Sequence, residues 1–164
     1  MAKRLFILRH AKSSWSEADK SDKDRALKAK GITDIVNTAM RMASKLQGID
    51  LIITSSANRA VHTAILFAET IGFPLQRIQI EPIVYQADEM ELIDLIKSLS
   101  DEYHSVMVVG HNPTLTYLVN RFLANSFHEL PTSGLVGIEF DINRWDEISA
   151  DRVSSAFTSF EGDV

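Results

Sequence analysis

Three short apolar runs, Leu5-Phe6-Ile7-Leu8, Leu51-Ile52-Ile53 and Val106-Met107-Val108-Val109, constrain the fold more than any other feature of the chain. They carry no polar residue at alternate positions, so each reads as a strand buried on both faces, as in a parallel sheet. Between them the apolar residues change to a helical period. Gly31 to Leu46 places Ile32, Ile35, Val36, Ala39, Met40, Ala43 and Leu46 on one stripe. Asn58 to Ile71 is stopped by Gly72 and Pro74, and Glu89 to Leu99 repeats the pattern with Leu92, Ile93, Leu95, Ile96 and Leu99. Pro113 suits a first helical position with Asn112 as the cap, predicting a helix to about Leu123. Ile78 to Ile83 is a strand shortened by Pro82. Leu135 to Ile142 and Val153 to Phe160 are less regular strands, able to pair antiparallel at an edge. Strand and helix in alternation predict an α/β fold, a three-layer α/β/α sandwich around a mostly parallel central sheet. At 164 residues the chain is expected to form a single domain over 1–164.

Ligands of such sheets bind outside the carboxyl ends of the strands. Arg9-His10 directly follows the first run, Arg59 comes shortly after the second, and His111 follows the third after Gly110. Alone, each has an ordinary structural explanation: a buried histidine, a solvated helix charge, a turn residue. Together they place two guanidinium forks and two imidazoles at one rim. Helix starts there add free N–H groups, which favour anions. A phosphoryl group needs its equatorial oxygens held by fixed positive charge, with attacker and leaving atom in line. A neutral histidine can be that attacker, and a second imidazole can hold an oxygen, best as the cation.

Composition narrows the chemistry. There is no cysteine, which excludes disulfides, thiolate metal sites and a cysteine nucleophile. A net charge of −5 argues against a nucleic-acid binder, so positive charge at a phosphate site must be local. No histidine pair has metal-ligand spacing and no cofactor motif is present, so neither metal nor cofactor is expected. Met1-Ala2-Lys3-Arg4 is followed by only four apolar residues before Arg9, too few for a signal peptide or membrane span. A cytoplasmic protein without membrane attachment is expected.

Leu8-Arg9-His10-Ala11-Lys12-Ser13-Ser14-Trp15-Ser16 resembles the N-terminal signature of the histidine phosphatase (phosphoglycerate-mutase-like) superfamily, with Ala11 where glycine is usual. Thr54 to Ala64, around Ser55-Ser56-Ala57-Asn58-Arg59, is similar to the second block of that family, and Val108 to Leu115, around Gly110-His111-Asn112-Pro113, to the third. Short length, Ala11 and Gly-His-Asn-Pro resemble the small SixA-type phosphohistidine phosphatases in particular. The resemblance implies a phosphoglycerate-mutase-like fold, His10 as nucleophile, and Arg9, Arg59 and His111 as the phosphate pocket.

It also raises the question of a general acid. The matching stretch, Tyr85-Gln86-Ala87-Asp88-Glu89, aligns Gln86 with the acid of the mutases, and an amide cannot donate that proton. Asp88 and Glu89 are the acid candidates, with Glu81 a further one. A phosphoramidate, whose leaving nitrogen is easily protonated, makes a strong acid dispensable. Asp24-Arg25 is similar to an Asp-Arg pair near the pocket mouth in small members, so Arg25 is a candidate for substrate contact, against a solvated loop charge. Ser16 is a further substrate-binding candidate, against a plain loop serine. Ser13 to Lys30 reads as a loop across the mouth, with Trp15 packing it onto the domain. His62, His104 and His128 are read as solvent-facing.

The resulting expectation is a cofactor-independent phosphatase acting through a covalent phospho-His10, on a phosphohistidine-bearing protein such as a phosphotransfer domain. A small phosphomonoester handled by the same mechanism is the alternative substrate, and a non-catalytic phosphate-binding interaction module the alternative class.

Overall fold

The computed structural model describes residues 2–15, 20–124 and 127–160. Among these residues six strands form one sheet: β1 (Lys3–Arg9), β2 (Leu51–Thr54), β3 (Ile78–Ile80), β4 (Ser105–Gly110), β5 (Leu135–Phe140) and β6 (Val153–Thr158), in the order β3-β2-β4-β1-β5-β6. The first four are mutually parallel, while β5 pairs antiparallel with β1 and β6 with β5. The apolar runs thus occupy the centre, and the two irregular segments close one edge antiparallel.

Alternation along β1 divides the core. Leu5 and Ile7 face a layer that includes Leu92 and Ile96 of helix α4 (Glu89–Lys97), Leu115 and Leu118 of α5 (Thr114–Phe122), and Trp145. Phe6 and Leu8 face the other side, with Ile35 and Ala39 of α1 (Ala29–Met42) and Ala64 and Phe67 of α2 (Asn58–Ile71). Full burial of each large apolar side chain contributes about 1.5–3 kcal/mol, so the sheet is clamped from both faces and its strand ends are firm mounts. Among the described residues no helix is long and apolar enough to cross a membrane.

Several boundaries differ from the sequence expectation for local reasons. Helix α1 begins at Ala29, so Gly31 lies in its first turn. A Cβ on Gly31 would come within 2.3 Å of the Lys12 carbonyl oxygen: glycine lets the chain after β1 cross the helix start. The strand at Ile78 stops at Ile80, and Pro82 leads into a one-turn helix, α3 (Ile83–Gln86). Pro113 precedes α5 instead of opening it, after a cis Asn112–Pro113 bond. Asn112 does not cap the helix: its amide donates to Leu130 O at 2.9 Å and its oxygen accepts from Thr116 Oγ1 at 3.0 Å.

Candidate active site

Parallel pairing of β1 with β4 sets Arg9 opposite Gly110. The next residue on each strand is a histidine, and the two imidazoles emerge side by side with ring centroids 5.2 Å apart. The ladder extends one bond further, His10 N–H donating to Gly110 O at 3.2 Å. His10 Nδ1 is 2.7 Å from the Ala11 carbonyl oxygen. A carbonyl only accepts, so Nδ1 carries the proton and Nε2 keeps its lone pair. Burial, opposed by that bond and assisted by His111, Arg59 and Arg9, lowers His10 to about 3, so the ring is neutral at physiological pH.

His111 is held by the turn between β2 and α2. Its Nε2 is 2.7 Å from Ser55 Oγ, which already accepts from Ala57 N–H at 3.1 Å. A hydroxyl used in this way can donate to Nε2, placing the His111 proton on Nδ1, a buried atom without a hydrogen-bond partner. Burial, then the cations Arg59, Arg25 and Arg9, outweigh Asp22 and lower His111 to about 4. The expectation of a charged second imidazole is therefore not met in the protein by itself, where three arginines already supply the positive charge.

Thr63 joins the first and second blocks: its Oγ1 accepts from Ala11 N–H at 2.9 Å and donates to Arg59 O at 2.6 Å. Arg9 is steered by Leu130 O at 2.8 Å and Glu129 Oε1 at 3.3 Å. The Arg59 guanidinium donates to Asp22 O at 2.6 Å and Asp22 Oδ2 at 3.0 Å. Buried nitrogens nevertheless remain without a hydrogen bond: Nε of Arg9 and Arg59, and Nε and one terminal nitrogen of Arg25. Positively charged donors left unsatisfied around one cleft fit an anion, since orphaned buried donors are costly.

The cleft measures about 560 Å³. Among the described residues its lining includes Arg9, Lys12, Arg25, Lys28 and Arg59 against a single carboxylate, Asp22, which concentrates positive charge locally in an acidic chain. Of the expected mouth loop, the described residues Ser13, Trp15, Asp22, Arg25 and Lys28 line the cleft, tied beside β1 by a Ser13–Leu27 bridge and by Lys28 N–H donating to Lys12 O at 2.9 Å. Arg25 is a buried pocket residue. Its guanidinium stacks on Trp15, 3.3 Å from the ring centroid. Trp15 itself is 74% exposed, so it does not pack the loop onto the core and instead stands at the rim. Ser16 lies outside the described residues.

The acid candidates are engaged elsewhere. Asp88 caps α4, accepting from Glu91 N–H at 2.8 Å, and Glu89 pairs with Arg121 at 3.1 Å. Neither they nor Glu81 line the cleft, whereas Gln86 does. Two groups that the sequence reading passed over complete the mouth. Asp22 Oδ2 accepts from Tyr85 Oη at 2.6 Å, and Asp22 Oδ1 is 3.4 Å from Arg25 Nε. The Tyr85 bond, then Arg59 and Arg25, lower the Asp22 carboxyl against its partial burial. Their sequence signals were Asp three residues before Arg25, and a tyrosine beside Gln86. His62, His104 and His128 are exposed, as expected. Among the described residues no three His, Asp or Glu side chains are grouped to hold a metal.

Known proteins are similar to this chain in sequence and in fold. The model of the histidine phosphatase superfamily (branch 1) matches residues 5–82. An uncharacterized chloroplastic protein of Arabidopsis thaliana is 27% identical, the match covering 92% of this chain and 72% of that one. A crystal structure from Agrobacterium tumefaciens, provisionally described as the phosphohistidine phosphatase SixA, is 29% identical with a TM-score of 0.76, covering 84% of this chain and 92% of that chain. The protein histidine phosphatase SixA complexed with tungstate has the same fold at a TM-score of 0.76 and 19% identity, covering 95% and 97%.

Proposed function

We infer that the chain is a phosphatase of the histidine phosphatase superfamily, on its SixA-type branch, and propose that it hydrolyses protein phosphohistidine through a covalent phospho-His10. One observation carries the reading: a buried, neutral His10 with its proton fixed on Nδ1 by Ala11 O, among cationic donors that lack partners.

Arg9 and Arg59 hold the equatorial oxygens of the incoming phosphoryl group, with His111 Nδ1–H as a third donor. The phosphate charge counters the neighbouring cations and raises His111 toward its protonated form. The His10 Nε2 lone pair then attacks phosphorus as the P–N bond to the substrate breaks, its electron pair going to the departing imidazole. Water attacks phospho-His10 in the second step, releasing inorganic phosphate and restoring the neutral ring. Substrate imidazole leaves readily once its distal nitrogen is protonated, consistent with a cleft in which Asp88 and Glu89 take no part.

Phosphate release from a histidine-phosphorylated phosphotransfer domain, and from an aryl phosphate, tests the proposal in wild type and His10→Ala. Wild type is expected to release phosphate from the phosphoprotein and to form an acid-labile phosphoenzyme. The variant forms none and loses about 10⁴-fold or more in kcat. An active His10→Ala refutes the nucleophile. Turnover of the aryl phosphate alone moves the substrate to small phosphomonoesters, and phosphate binding without turnover leaves a binding module.

A further inference from the structure

Asp22 has no part in the steps above, yet it is the only carboxylate among the described residues that line the cleft. Its place is defined by burial. His10 is 7% exposed and Arg59 6%, so attacker and clamp lie on the floor. The Asp22 side chain is 46% exposed and therefore lies at the mouth. In-line transfer puts the leaving atom on the side of phosphorus opposite the attacker, so the departing group lies toward that mouth. The carboxylate is also held there. Arg59 and Tyr85 donate to Oδ2, while Oδ1 faces Arg25 at 3.4 Å, too long for a firm hydrogen bond, and retains accepting capacity. Lys12, Lys28, Arg25 and Arg59 draw the phosphoryl group inward, so the negative charge of Asp22 is not needed for capture and opposes it.

Building on the proposed phosphohistidine activity, we propose that Asp22 is a specificity-determining residue that selects the leaving group by charge. A phosphoimidazole reacts with its distal ring nitrogen protonated. Breaking the P–N bond returns the electron pair to the bonded nitrogen, and the ring departs neutral with the distal N–H retained. A carboxylate at the mouth stabilises that cationic ring before and during bond cleavage. A phosphomonoester releases an alkoxide or phenoxide instead, and the same carboxylate repels the developing oxyanion. Asp22 thus supplies discrimination without donating a proton.

The test compares kcat/KM of the full chain for a phosphohistidine peptide, phosphoramidate and 4-nitrophenyl phosphate, in wild type, Asp22→Asn and Asp22→Glu, together with inhibition by inorganic phosphate. Asparagine can still accept from Arg59 and Tyr85 but lacks the charge. It is expected to lower the preference for phosphohistidine over 4-nitrophenyl phosphate by about tenfold, as expected for one half-exposed unit charge, and to tighten inhibition by phosphate. Glutamate is expected to restore the preference. If both substrates slow in parallel with their ratio unchanged, Asp22 only positions Arg59 and the inference fails. A wild type inactive on phosphohistidine refutes the proposed substrate instead. The selector is then read from phosphoramidate against 4-nitrophenyl phosphate, and falls if that ratio is also insensitive to Asp22→Asn.

Discussion

Lowering the pH from 8 to 5 probes the buried imidazole pair through stability, independently of any substrate. In the unfolded chain both rings protonate near the ordinary value of 6.5, whereas in the folded protein His10 is held at about 3 and His111 at about 4. Between these limits the unfolded state binds more protons, so stability is highest above 6.5 and falls as the pH drops through that value toward 4. At pH 5, some 1.5 units below the unfolded value, the loss at about 1.36 kcal/mol per unit is roughly 2 kcal/mol for His10. It is somewhat less for His111, which is partly exposed. Together they remove a large share of the roughly 5–15 kcal/mol that an ordinary domain possesses. Asp22, with its lowered carboxyl, adds a loss of the same sign at still lower pH. Urea unfolding of wild type and His10→Gln at both pH values isolates the term, because all other groups cancel in the difference. The wild type is expected to lose about 2 kcal/mol more than the variant between pH 8 and pH 5. Equal losses in the two proteins would show that His10 is not held neutral by its surroundings, and the basis for treating it as a nucleophile would go with it.

Two further outcomes follow from local geometry. Gly31→Ala pushes a Cβ to within 2.3 Å of the Lys12 carbonyl oxygen, so a loss of about 1–3 kcal/mol is expected in urea unfolding, with reduced turnover because Lys12 follows His10 and Ala11 directly; an unchanged midpoint would mean that the helix start gives way freely. Asp88→Ala removes the α4 cap and should cost about 1 kcal/mol of stability while leaving the pH–rate profile intact, whereas a lost basic limb would return Asp88 to the role of general acid.

The centre of the sheet was legible because Leu5 to Leu8, Leu51 to Ile53 and Val106 to Val109 are buried on both faces, and such burial leaves an unmistakable apolar run. The floor of the cleft followed from it, since Arg9, His10 and His111 are the residues at which those runs end. Arg59 was legible through its place in the first turn after a strand. The mouth was not. Asp22 and Tyr85 meet across 63 positions of sequence through one hydrogen bond, a pairing that no local period encodes. Asp88 and Glu89 lie away from the cleft lining for the converse reason: the residues that open α4 are engaged by the helix itself, one as its cap and the other in a pair with Arg121. Lys3 also defied its surroundings. Charged and next to the start of the chain, it is nevertheless fully buried, its ammonium donating to Asp101 O and Tyr103 O at 2.8 Å each beside Trp145.

The separation of the two imidazoles comes from the backbone and owes little to their side chains. Adjacent strands lie about 4.8 Å apart whatever their sequence, and the rings, one residue beyond the Arg9–Gly110 pair, inherit nearly that distance at 5.2 Å. A register slip of one residue would displace one ring by about 3.3 Å and dissolve the pair, but it would also exchange the two apolar layers into which Leu5 and Ile7, and Phe6 and Leu8, are packed. Core packing on both faces therefore acts as the proofreading step for the reaction chemistry. Trp15, Asp22 and Arg25 lie outside that ladder and answer to side-chain contacts with Arg59, Tyr85 and each other, so the mouth can be rewritten for new phosphorylated molecules while the floor keeps its spacing.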